Sequence, residues 1–188
     1  MSHSLNEIAA HAKRAARGAG LSWGMAEEAG RAARWLASHD LAGPAVLADV
    51  LAQNDGVPHV QVSPVSLDGD WHAQSGDLCP LAAGTSLNDC ADLLADGQAV
   101  RMVNVSYPLL VLPFVAWAAI HLKQPVRVSW QNLMIETDGK GIWVDDPQGQ
   151  MDSDQVKAVT CEIAPQRSDT ARLPNPRGTV ASEIWQRL

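Results

Sequence analysis

Cationic residues are few in this chain: 14 lysines and arginines stand against 21 aspartates and glutamates, a formal net charge of -7. A protein that grips a phosphate backbone needs a clustered basic surface to displace counterions, so this balance excludes nucleic acid as an expected partner. Cysteine is sparse as well. Cys79, Cys90 and Cys161 are an odd number with no short-spaced pair, which argues against a disulfide framework and a zinc site and fits reduced thiols in a cytosol. The start, MSHSLNEIAA, has neither a basic segment nor an apolar core, so no secretory signal is read there and a cytoplasmic location is expected. Rossmann glycines, a P-loop lysine, triad spacing and internal repeats are all missing. No metal site, no cofactor and no catalytic residue is identified, which leaves enzymatic activity open.

Charge is also missing from Met102 to Leu122, 21 consecutive residues without Lys, Arg, Asp or Glu. That length raises a membrane span. Asn104, Ser106 and His121 within it, with Pro108 and Pro113, argue instead for a buried strand over 99–105, a proline-bounded connection and a buried helix over 115–122, and so for no membrane partner.

What is present is a globular composition. Hydrophobic residues make up 46% of 188 positions, with seven tryptophans, enough to bury about 70% of the surface an unfolded chain exposes. The most informative stretch is Arg14 to Leu36, where two alanine-rich helical segments meet across Gly18 and Gly20. Ser4 and Glu7 have the spacing of a capping box that satisfies free backbone donors at a helix start. Leu5, Ile8, Ala12 and Ala15 follow as a buried stripe, and Gly18 stands where a left-handed cap residue belongs. Ser22 caps a second helix with Met25, Ala29, Ala32 and Leu36 on its inner side. Glu27 and Arg31 on its outer side have i,i+4 spacing. Trp23, Gly30 and the adjacent carboxylates Glu27 and Glu28, opposite the basic end at Arg17, have the chemistry to line a ligand cleft.

The run Ser4–Gly43, together with CPL at 79–81 and PLLVLPF at 108–114, resembles an uncharacterised bacterial domain-of-unknown-function family of about this length. The resemblance implies a bacterial, cytosolic protein and transfers no catalytic residue.

Further along, Pro44 starts a third helix with Val46, Leu47, Val50 and Leu51 buried. Val57 to Leu67 reads as an extended edge segment. His72, Asp77, Cys79, Asp89 and Cys90 cluster in sequence without metal-ligand spacing. Cys90 falls on an apolar stripe. Cys79 precedes a helix that Thr85 or Ser86 would cap, where a nearby helix N-terminus lowers a thiol pKa, and Gly84-Thr85-Ser86 is a candidate anion turn. Val126 to Ile163 reads as an antiparallel meander turned at Asp138-Gly139-Lys140-Gly141, with Trp130 and Trp143 on one face. From Pro165 the chain carries four basic and two acidic residues and an apolar ending of Ile184, Trp185 and Leu188.

These readings predict an α+β fold, with an N-terminal helical hairpin and further helices packed against a mostly antiparallel sheet. One domain spans 1–164 and a C-terminal arm spans 165–188. The expected function is binding of a small organic molecule in a cleft beside the hairpin, with Arg17, Trp23, Glu27, Glu28, Asp77 and Cys79 as contact residues. The alternative is a non-catalytic interaction or accessory subunit, with the arm docked on a second copy in a homodimer.

Overall fold

The computed structural model describes residues 1–188. In chain order the elements begin with β1 (Ser2–Ser4), α1 (Leu5–Gly18), α2 (Trp23–Ser38), α3 (Gly43–Gln53) and α4 (His59–Val62). β2 (Asp70–Trp71), α5 (Pro80–Asp89), α6 (Asp92–Ala95) and β3 (Val100–Ser106) follow. A 3-10 turn (Pro108–Val111) then leads to α7 (Leu112–Leu122). Strands β4 (Val126–Trp130), β5 (Leu133–Thr137), β6 (Ile142–Asp145), β7 (Gln155–Ile163) and β8 (Arg177–Thr179) precede the last helix, α8 (Ser182–Arg187). Helices beside mostly antiparallel strands make this an α+β protein. The chain forms two compact units, Met1–His59 with Pro174–Leu188, and Val60–Leu173. The span 165–188 is divided between them.

In the first unit the capping box forms as the spacing requires: Ser4 N–H donates to Glu7 Oε2 at 2.8 Å and Glu7 N–H to Ser4 Oγ at 3.2 Å. The buried stripe of α1 is Ile8, Ala12 and Ala16, an i,i+4 row, with Ala15 only half-buried. The left-handed residue of the hairpin turn is Gly20 (φ 88), two positions beyond Gly18. Ser22 Oγ accepts from Met25 N–H at 3.3 Å to start α2. Gly30 admits α1, since a Cβ there would stand 2.7 Å from the backbone oxygen of Ala9. Its missing side chain serves helix packing.

The C-terminal residues complete this unit. β8 pairs antiparallel with β1, from Ser2↔Thr179 to Ser4↔Arg177. Val180 is buried with Ile8 and Ala37, and Leu5, Ile184 and Trp185 pack against that cluster. The Trp185 indole lies between two imidazoles, His3 at 3.9 Å and His11 at 4.3 Å between ring centroids. Arg187 pairs with Asp49 at 2.9 Å. The apolar ending is thus half-buried against its own chain.

The second unit is built on a six-stranded sheet in the order β2-β3-β7-β4-β5-β6, antiparallel except for β2 against β3. The reading of 126–163 as a simple meander is corrected in two respects. Residues 126–137 hold a whole hairpin, β4 and β5, because Gln131 turns the chain at φ 52, and β7 passes β6 to insert between β3 and β4. Trp130 pairs with Leu133 and Trp143 with Glu136. Three positions separate those partners along β5, so the two indoles lie on opposite faces.

The uncharged run supplies β3, the 3-10 turn and α7, and no helix is long and apolar enough to cross a membrane. Between Val57 and Leu67 the chain forms the short α4 in place of an extended edge, tied to the β2 region by a Pro64–Ala73 bridge and by hydrogen bonds from Val65 N–H to the His72 carbonyl and from Trp71 Nε1 to the Leu67 carbonyl. Helix α5 starts at Pro80, five residues before the expected cap. The Thr85 hydroxyl therefore sits mid-helix and donates to the carbonyls of Leu81 and Ala82, both at 3.0 Å. Gly84 is covered by the Phe114 ring, 2.2 Å from where a Cβ would stand. The candidate anion turn is thus a helix-helix contact.

One carboxylate organises the outer face of the sheet. Glu136, its side chain 4% exposed, accepts from Arg127 at 2.6 Å and from Arg167 at 3.0 Å, while Arg127 also reaches Glu162 at 3.1 Å. Trp143 Nε1 donates to the Asp169 carbonyl at 3.0 Å, and Arg172 bridges to Ile142. Residues 165–173 are thereby held along β6. Burial alone would push the Glu136 carboxyl up, but hydrogen bonds from the two guanidinium groups outweigh it and hold the group below the usual carboxylate range.

Two expected outcomes follow from this packing. Gly30→Ala removes a helix-weakening glycine, a gain of at most about 1 kcal/mol. It also drives a methyl into backbone that cannot move aside, so the net is a loss of about 1 to 3 kcal/mol in urea unfolding. Because the folded-state pKa of Glu136 is depressed, its contribution is complete above the ordinary glutamate pKa of about 4.3 and is lost as pH falls through the lower folded value. Glu136→Gln should cost about 2 kcal/mol at neutral pH, discounted from a fully buried pair because both arginines are partly exposed. Urea midpoints of variant and parent, measured against pH, should converge as pH falls through the lowered folded value.

Candidate functional site

Strand β3 carries the main departure from a regular sheet. Val100 and Met102 point into the core as alternate residues should, yet the next inward residue is Val105, three positions on. On β7 the same step occurs between Val159 and Val156. The register runs Val103↔Ala158 and then Val105↔Val156, so the break falls at Asn104 and Lys157. Asn104 has φ 51, the left-handed region. Asparagine is among the few side chains that accept it, and one such residue turns the strand over.

The inversion has a chemical consequence. It brings Val105 and Val156 inside and leaves Gln155 and Lys157 on the solvent side. The chain approaching α5 then lies along β3: Leu78 bridges in parallel to Val105, Leu78 N–H donates to the Asn104 carbonyl at 2.9 Å, and Ser106 N–H donates to the Leu78 carbonyl at 3.2 Å. Gly76, with φ 93, and Asp77 are set beside β7. Gln155 Nε2 donates to Asp77 Oδ1 at 2.5 Å. A cavity of about 390 Å³ opens there, lined by Gly76, Asp77, Asn104, Gln155, Val156 and Lys157. Its polar groups are one carboxylate, one ammonium and two amides, a set able to bind and orient a small polar molecule.

Of the residues read as candidates from sequence, Asp77 is in this cavity. Cys79 is two positions away but buried, at the start of α5. Burial pushes its thiol up, and the Ala82 and Leu81 backbone N–H groups that favour the thiolate do not offset it. Cys79 does stand at a helix N-terminus, but desolvation overcomes the activating effect of that position. Cys161 is likewise buried and pushed up to about 12. Cys90, placed in the core by its stripe, is half-buried just past the end of α5.

Arg17, Trp23 and Glu27 are brought together in the first unit. The Arg17 guanidinium lies 4.5 Å from the Trp23 ring centroid and donates to the Leu21 carbonyl. Lys13 stands 5.9 Å from the same ring and pairs with Glu27 at 3.0 Å. Glu28 turns to Arg31 at 2.9 Å, so the i,i+4 pairing of Glu27 with Arg31 is replaced by one pair across the hairpin and one along the helix. Trp23 is 69% exposed. Exposed pairs of this kind contribute about 0 to 1 kcal/mol. A cleft beside the hairpin does exist, about 350 Å³, but its walls are mostly alanine and leucine with Asp55 and Arg187 as the charged groups; Arg17, Trp23, Glu27 and Glu28 do not line it.

Sequence reasoning missed Asn104, Gln155 and Lys157. The available signal was the spacing of apolar residues in VRMVNVS, where Val100, Met102 and Val105 break a strict period of two.

Residues 3–79 match the model of a family described as protein of unknown function (DUF3726). The match includes the Ser4–Gly43 run and ends at Cys79, before α5 and PLLVLPF. It assigns no activity. No curated protein matches the chain.

Asn104→Gly, which keeps access to the left-handed region, should leave stability within about 0.5 kcal/mol of the parent. Asn104→Val should lose about 1 to 2 kcal/mol. Thermal unfolding of the two variants distinguishes this conformational demand from a side-chain contact, which both substitutions would remove.

Proposed function

We propose that the protein binds a small polar molecule in the cavity formed by Asp77, Asn104, Gln155 and Lys157. The observation that carries this reading is the convergence of four hydrogen-bonding side chains on one cavity, at a point where β3 is held in a conformation most residues avoid. Asp77 and Lys157 make no ion pair with each other, so each retains charge to direct at a ligand. The cavity, at about 390 Å³, falls at the lower end of the usual range for ligand sites.

A second reading keeps the ligand in the cleft beside the hairpin. It is favoured by the groove between α1 and α3, which is largely apolar and carries one charge of each sign, Asp55 and the Asp49-paired Arg187.

A thermal-shift screen of small polar metabolites, followed by amide-resonance mapping of each hit, separates the two. The cavity reading expects shifts at Gly76, Asp77, Asn104 and Lys157, and at least tenfold weaker binding to Asp77→Ala and to Lys157→Ala with unfolding unchanged. Shifts confined to Ala15, Ala19 and Leu51 would move the site to the hairpin.

A further inference from the structure

Two opposite charges line the cavity and restrict what fits it. Gln155 occupies one oxygen of Asp77, leaving Oδ2 without a protein partner. Lys157 is the next side chain on the same side of β7 as Gln155, about 7 Å along the strand, and is in no ion pair. One carboxylate and one ammonium, neither in an ion pair, therefore line the same cavity, together with Asn104 and Gln155.

Such a pair discriminates by repulsion as well as attraction. A simple anion drawn to Lys157 meets the Asp77 carboxylate, and a simple cation drawn to Asp77 meets the Lys157 ammonium. A neutral polyol leaves both charges without a counter-ion. A molecule carrying an ammonium and a carboxylate a short distance apart satisfies both, with a charge-assisted hydrogen bond of about 2.8 Å at either end.

Resting on the cavity reading above, we infer that the ligand class is a small zwitterion of the amino-acid type, its ammonium on Asp77 Oδ2 and its carboxylate on Lys157 Nζ. The cavity's lining offers no further charged group to the ligand's side chain. Its identity matters less for affinity than the two charged groups do.

Calorimetry and amide-resonance mapping with a panel of free L-amino acids, their N-acetyl derivatives and their methyl esters test this. Free amino acids should shift Gly76, Asp77, Asn104 and Lys157. Acetylation, which removes the ammonium, and esterification, which removes the carboxylate, should each weaken binding at least tenfold. Asp77→Asn should erase the preference for the free over the acetylated form, and Lys157→Met the preference for the free acid over the ester, with unfolding unchanged in both. Esters or acetylated forms binding the cavity as tightly as free amino acids would overturn the zwitterion and leave the cavity as the site. If neither this panel nor the polar-metabolite screen shifts any cavity resonance, both readings fall.

Discussion

A single left-handed residue in the middle of a strand sets the character of the second unit. Asn104 turns β3 over, so the inward row steps from Met102 to Val105. Everything beside it follows from that reversal. Leu78 bonds to the freed carbonyl, Val156 turns inward opposite Val105, and Gln155 and Lys157 are left facing solvent next to Asp77. An extended residue at this position would keep the period of two and point Lys157 toward the apolar face. A buried ammonium without a partner is far costlier than one strained dihedral angle. The strain is the smaller term, and the cavity exists because the sheet accepts it.

Elsewhere the fold depends on close approach and on one buried carboxylate. Glycine lets α1 meet α2 at Gly30 and lets Phe114 lie flat on α5 at Gly84. In both places the absent side chain faces another helix. Glu136 is tolerated inside because two arginines supply hydrogen bonds to both of its oxygens. Its partner Arg167 belongs to a segment with no regular structure, and that segment is held along β6 by the same contact. The exposed pairs of the hairpin, Lys13 with Glu27 and Arg31 with Glu28, are weaker elements of the same chemistry, since water screens them.

Several signals that rest on neighbouring residues were legible, though the caps expected at Gly18 and Thr85 were not among them. The capping box at Ser4, the Ser22 cap, Pro44 at the start of α3 and the proline-broken uncharged run all appear where their residues indicate. The match of residues 3–79 to an uncharacterised family agrees with the resemblance drawn from Ser4–Gly43. The ligand residues were less legible. Arg17, Trp23 and Glu27 do meet, but around one another. Asp77 reaches a cavity through partners 27 to 80 positions away in sequence, Asn104 and Lys157 among them, and no spacing rule links residues on different strands before the strand order is known.

The amino-acid sequence by itself determined the class of the fold, the N-terminal caps of α1 and α2 and the acidic balance that disfavours a phosphate-backbone partner. Each of these rests on hydrogen bonds within a few residues or on composition. Tertiary structure decided the insertion of β7 between β3 and β4, the division of 165–188 between two units, the burial that silences Cys79 and the reversal at Asn104. All four depend on which distant segments share an environment. The same asparagine in an isolated strand would be only a polar residue; with Leu78 on one side of β3 and Val156 on the other, it decides which way Lys157 faces.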